Sequence, residues 1–166
     1  TFPYIGVYPA FHFDGAPARE QARFQADILD KAEILGTPVL KIMLNVWLKG
    51  SDATPAQIAL TAARFGAWYR EAKSRGIGMC VELHGGTLFD PVDTGLQFMQ
   101  DYPELDFTIC YQPYDFADTD QAIALADRFA GRISHLHLQA PQPPERGGMY
   151  DLLEECPLDY RRLLPH

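Results

Sequence analysis

The sequence predicts an α/β chain built of strand-helix units around a parallel sheet. Short runs rich in β-branched and aromatic residues alternate with longer segments whose apolar residues recur at helical spacing. Successive strand runs begin about 30 residues apart, the length of one βαβ unit. Polar and charged residues gather where those runs end, which is where parallel α/β folds bind their ligands.

Each element has its own signal. Tyr4–Tyr8 (YIGVY) reads as a strand. Over 17–35, Phe24, Ile28, Ala32 and Leu35 recur at helical spacing, and Gly36 is placed to stop the helix. Residues 39–46 read as a second strand. Thr54-Pro-Ala-Gln57 carries a helix start, with a hydroxyl cap, Pro in the first turn and Gln three residues on; the helix runs to about 75, before Gly76. A third strand over 78–83, a short helix over 92–101 and a fourth strand over 107–111 follow. A helix over 118–130 ends at Gly131, a fifth strand covers 133–138, and 158–164 reads as the opening turns of another helix. The segment Gln139–Gly148 is a long Pro-rich loop, and no linker divides the chain. Two architectures suit this order: an open doubly wound sheet, or part of a (β/α) barrel. No Gly-rich phosphate loop follows any strand, which weakens a nucleotide-binding open sheet.

Composition narrows the function. The chain has 166 residues, 47% of them hydrophobic and 22% charged, which is ordinary for a globular domain and excludes disorder. A net charge of −8 argues against nucleic acid and against an anionic membrane surface, both of which are bound through cationic contacts. The longest apolar run, Thr37–Leu48, is broken by Lys41 and Asn45 and is too short for a membrane helix. Three cysteines without paired spacing, two of them (Cys80, Cys110) inside strand runs, read as reduced, buried thiols and a cytoplasmic setting. The sequence opens at Thr1 with no Met and no charged-then-apolar leader, so a processed, trimmed or partial chain is expected, not a secretory precursor.

Side chains two apart on a strand share a face. On that rule Lys41 and Asn45 share a face on the second strand. Cys80, Glu82 and His84 do so on the third, Thr108, Cys110 and Gln112 on the fourth, and His135, His137 and Gln139 on the fifth. A charge inside a sheet is costly without a partner, and Glu82, Lys41 and the histidines converging on one mouth satisfy one another. A carboxylate, an imidazole and an amide oxygen form a donor set for Mn, Mg, Co, Fe or Zn, and such an ion holds sugar oxygens and polarises a carbonyl. Glu82 is alternatively a general base beside that carbonyl. Each residue also has a structural reading. Glu82 and Lys41 can form a simple buried ion pair, His135 can serve the core, and Trp47 and Trp68 can pack, although Trp47 falls where a sugar ring stacks. His84 is placed to orient Glu82 or a substrate hydroxyl, and Arg146, past the Pro-rich loop, can meet an anionic substrate or simply stay solvated.

Three motifs in order, Val81-Glu-Leu-His-Gly-Gly-Thr87, Ile109-Cys-Tyr-Gln-Pro-Tyr-Asp-Phe116 and Arg132-Ile-Ser-His-Leu-His-Leu-Gln139, resemble the strand-end motifs of the xylose isomerase-like (β/α)8 barrels. These are the sugar phosphate isomerases and epimerases, with endonuclease IV as a distant relative. The resemblance implies a partial TIM-type barrel of five to six βα units in a single domain over 1–166, incomplete at both ends, because a full barrel takes about 250 residues. It implies a divalent-metal-dependent isomerase or epimerase acting on a sugar, sugar phosphate or polyol. Glu82 and Lys41 are then catalytic; Glu82, Gln112 and His137 hold the metal; His84, Asn45, Trp47, Asp115, His135 and Arg146 contact substrate. The pattern departs from the family at three places. Gln112 stands where the family has Asp, Gln139-Ala140 where it has Lys-Asp, and no closing strand with a second Glu is found. A metal-free barrel domain that binds a sugar or a partner chain is therefore the alternative. The expected partners are a sugar-like small molecule, with a homo-oligomer or a second chain completing the barrel.

Overall fold

A computed structural model describes residues 2–113, 118–140 and 152–164. It contains five strands, β1 (Ile5–Val7), β2 (Val39–Ile42), β3 (Gly78–Glu82), β4 (Thr108–Tyr111) and β5 (Ile133–Leu136). The helices are α1 (Gly15–Leu35), α2 (Pro55–Ser74), α3 (Val92–Asp101), α4 (Thr119–Arg128) and α5 (Tyr160–Leu163). The strands form a parallel sheet in the order β1-β2-β3-β4-β5, with a helix following each of the first four, as the sequence predicts. Contacts divide the chain into two compact units, Thr1–Thr108 and Ile109–His166.

In the first unit, α2 begins as its sequence dictates. The Gln57 amide N–H donates to Thr54 Oγ1, and the Gln57 side chain returns to the Thr54 N–H, a reciprocal capping box. The left-handed residue that ends α1 is Gly36 (φ 63°), whose N–H reaches back to Glu33. The buried stripe of α1 is Ile28, Leu29 and Ala32, and not the predicted Phe24 and Leu35, which are exposed. The helix begins two residues earlier than predicted. Leu40, Ile42, Met79 and Val81 are buried on one face of the sheet. The α2 residues Phe65, Trp68, Tyr69 and Ala72 are buried as well, at the helical spacing of one inward face. Phe65 is a hub, edge-on to Phe11 (5.7 Å) and Phe107 (5.5 Å), and Phe107 in turn meets Phe89.

The second strand stops earlier than predicted. β2 ends at Ile42, and 44–47 form a turn in which Asn45 (φ 59°) and Trp47 (φ 68°) are left-handed. The run Met43-Leu-Asn-Val46 looks like strand because Leu44 and Val46 are buried, but they are buried in a turn, which apolar periodicity does not distinguish.

In the second unit, β4 and β5 pair with a register irregularity at Ile109/Cys110, so that Cys110 faces His135 and Tyr111 faces Leu136. Tyr111 is buried and its hydroxyl donates to the Ala122 carbonyl of α4 at 2.7 Å. Burial pushes its phenol well above the ordinary value, and the charge of Tyr160 adds to the shift; burial also raises Tyr160. A phenol raised in the fold keeps its proton where the unfolded chain loses it. Its contribution is therefore complete below pH ~10 and is lost as pH climbs above that. Stability should fall steeply in alkali, and Tyr111→Phe should flatten the fall; denaturation midpoints from neutral to alkaline pH check this.

Candidate functional site

Within the first unit the strand register brings two charges together. Lys41 lies opposite Cys80, and Glu82 is two residues further along the same face of β3. The Lys41 ammonium donates to Glu82 Oε2 in a pair whose side chains are only 9% and 5% exposed. A buried ion pair survives only with close geometry, and this pair sits where β2 and β3 end.

Above the pair, the segments after β2 and β3 are laced together. The Leu88 N–H donates to the Leu44 carbonyl (2.9 Å), and the Gly50 N–H to the Thr87 carbonyl (3.0 Å). Asp90 Oδ2 accepts from the Gly86 N–H (2.8 Å) and pairs with Lys49 (3.3 Å). A Cβ on Gly50 would lie 2.5 Å from the Leu88 carbonyl oxygen, so only glycine permits this approach. Asn45 is fully buried. Its Oδ1 accepts from the Phe11 N–H at 2.7 Å, and its Nδ2 donates to Thr61 Oγ1 at 2.6 Å, tying the segment after β1 and helix α2 to this turn. Asn45 thus sits past the end of β2, off the Lys41 strand face on which the sequence places it. His84 Nδ1 lies 2.8 Å from the Gly85 carbonyl, which only accepts, so Nδ1 carries a hydrogen. A cavity of about 320 Å³ opens beside these segments, lined by Tyr8, Met43, Val46, Trp47, Gly85 and Gly86.

Within the second unit, Gln112 and His137 meet, with His137 Nδ1 2.9 Å from Gln112 Oε1, and Gln112 is buried. The amide oxygen accepts, so His137 carries its hydrogen on Nδ1. His135 Nδ1 lies 2.9 Å from Ser134 Oγ. Gln139 is held through its backbone: the Tyr160 hydroxyl accepts from the Gln139 N–H (2.8 Å) and donates to its carbonyl (2.6 Å), which Cys156 Sγ also approaches. Tyr160 is a positioning residue that sequence reasoning misses, because nothing local marks a contact 21 residues away. Asp115 and Arg146 lie outside the described residues. Cys80 and Cys110 are buried and outside any disulfide, as expected.

No family model matches the sequence, and no curated protein does. Solved structures do. The probable 3-DHS dehydratase AsbF of petrobactin synthesis from Bacillus anthracis superimposes with a TM-score of 0.77 at 12% identity, over 98% of this chain and 64% of its own. A xylose isomerase-like TIM barrel protein from Mycobacterium smegmatis, in complex with magnesium, gives 0.65 at 14% identity, over 96% and 60%. The fold is that of the xylose isomerase-like barrels. A xylose isomerase domain protein from Planctomyces limnophilus gives 0.59 at 16%, over 88% and 58%. The chain spans less than two thirds of each of these barrels. No helix among the described residues is long and apolar enough to cross a membrane.

Within the xylose isomerase-like fold the expected metal donors can be tested against their surroundings. Among the described residues no three His, Cys, Asp or Glu side chains group as metal ligands. The Glu82 carboxylate already neutralises a cation, Lys41, in direct contact. Gln112 Oε1 is neutral and faces the His137 N–H. A hard divalent ion such as Mg or Mn is held mainly by anionic oxygen, and would have to displace an ammonium from the one carboxylate of the expected set. The described residues, in this arrangement, do not fit a resident divalent metal.

Proposed function

We infer that this chain supplies part of a barrel enzyme that moves a proton on the carbon next to a carbonyl of a small, sugar-like substrate, as an isomerase or epimerase does. The observation that carries the reading is the buried Lys41–Glu82 pair at the strand ends, with a cavity lined by residues that follow β1, β2 and β3. Glu82 is the base. It takes the proton from the carbon; delivery to the neighbouring carbon gives isomerisation, whereas epimerisation needs a proton from water on the opposite face of the same carbon. Lys41 holds the Glu82 carboxylate in position before the reaction. As negative charge moves to the substrate oxygen and the carboxylate takes up the proton, the ammonium is left to donate to that oxygen. This division of labour needs no metal ion, in keeping with the donor set. His84 and Trp47 are substrate contacts in this reading. A further strand at β1 or β5, from a longer chain or a partner, completes the barrel.

A second reading is a sugar-binding barrel without chemistry, favoured by the neutral Gln112 and its engagement with His137. Deuterium uptake from D2O into a panel of ketoses and ketose phosphates, followed by proton NMR, separates the two. The enzyme reading expects uptake that persists in EDTA and disappears in Glu82→Gln, with circular dichroism showing that variant folded. Binding without uptake in the wild type would favour the second reading. Uptake that strictly requires added magnesium or manganese would overturn the role given to Lys41.

A further inference from the structure

We propose that Tyr8 and Trp47 form an aromatic subsite that takes the uncharged carbon face of a ring, and so selects a cyclic, unphosphorylated part of the substrate. This rests on the proposed function for the place of the site, not for its chemistry. The two aromatics line the same cavity, with Met43 and Val46 as apolar lining and the Gly85-Gly86 backbone completing it. Tyr8 is 56% exposed and Trp47 is 79% exposed, so large apolar area faces water at the strand ends. Single exposed aromatics are common, but two on one cavity are not explained by packing. Tyr8 is two residues past Gly6, which pairs with Lys41, and Met43 is two past Lys41. Both cavity residues thus lie just past the ends of β1 and β2.

The backbone supports the same conclusion. Trp47 is held at φ 68°, a conformation that a bulky residue rarely adopts and that the surrounding structure must impose. The lacing of 44–50 to 85–90 and the buried Asn45 impose it. An exposed indole on a backbone held in a disfavoured state offers a flat surface to a ring. Aromatic faces attract the polarised C–H groups of a sugar ring. Among the described residues none that lines the cavity is charged, and the nearby Lys49 is engaged by Asp90, so this wall offers no free cation to a phosphate.

Tryptophan separates the outcomes, because the only other one, Trp68, is buried with its indole N–H donating to the Gln25 carbonyl. The 15N-labelled protein is titrated with methyl β-D-glucopyranoside, with sorbitol as an open-chain control and glucose 6-phosphate as a charged one. The Trp47 indole resonance should shift saturably with the glucoside, and the Trp68 resonance should not move. Sorbitol should bind more weakly, and glucose 6-phosphate no more tightly than the glucoside. Trp47→Ala should weaken binding, followed then by ligand-observed NMR, roughly three- to tenfold, and Tyr8→Ala should weaken it in the same direction. An unmoved Trp47 resonance, unchanged affinity in both variants, tighter binding of the phosphate, or an indole shielded from acrylamide before any sugar is added would each overturn the subsite. Loss of the deuterium uptake described above, with the glucoside still shifting Trp47, would remove the proposed reaction and leave the subsite standing.

Discussion

Replacing Lys41 with methionine should cost about 3–5 kcal/mol, because it leaves the Glu82 carboxylate buried without its partner. The loss exceeds that of any surface ion pair, such as Lys31–Asp27, whose side chains are more than half exposed. Lys41→Met combined with Glu82→Leu should recover most of that stability, since an apolar pair of similar volume has no charge to desolvate. Urea denaturation of the single and double variants checks this, and the double-mutant cycle gives the coupling directly. Recovery of stability in a double variant that shows no deuterium uptake would mean that the pair is present for chemistry. A double variant no more stable than Lys41→Met would mean that the pair is needed to hold β2 against β3.

Phe65→Ala should be comparably damaging, at about 3–5 kcal/mol. The ring is fully buried, contacts Phe11, Tyr69 and Phe107, and pins the centre of α2. Its removal opens a cavity whose rigid aromatic walls cannot collapse, so the cost includes lost contacts as well as lost burial. At about 2–4 °C per kcal/mol for a chain of this size, the melting temperature should drop by about 6–20 °C. Phe65→Leu should lose much less. Differential scanning calorimetry distinguishes the two, and equal losses would show that the aromatic edge contacts, not volume, hold the cluster.

Much of the fold was legible because its signals are local. The capping box at Thr54 and Gln57, the stop at Gly36 and the strand runs at 78–82 and 108–111 all depend on neighbours in sequence. The Lys41–Glu82 pair was legible too, as one of two readings of the same residues, because strand alternation places both on one face. Other features depend on distant groups and had no local mark. The early end of β2 follows from the contacts Asn45 makes with Phe11 and Thr61. The irregularity between β4 and β5 sets which histidine meets Gln112, and the Tyr160 clamp on Gln139 joins segments far apart in sequence. The metal expectation turned on partners that strand alternation does not show: Lys41 faces the Glu82 carboxylate, and the His137 imidazole faces the Gln112 amide oxygen.

The lacing between 44–50 and 85–90 has a consequence for how ligands come and go. With a glycine backbone packed against a carbonyl and hydrogen bonds running both ways across the seam, neither segment can swing aside alone. This wall therefore works as a fixed rim and not as a door. Entry and departure on this side should be limited by diffusion and by the affinity of the aromatic surface, without the slow opening step that gates enzymes with hinged covers.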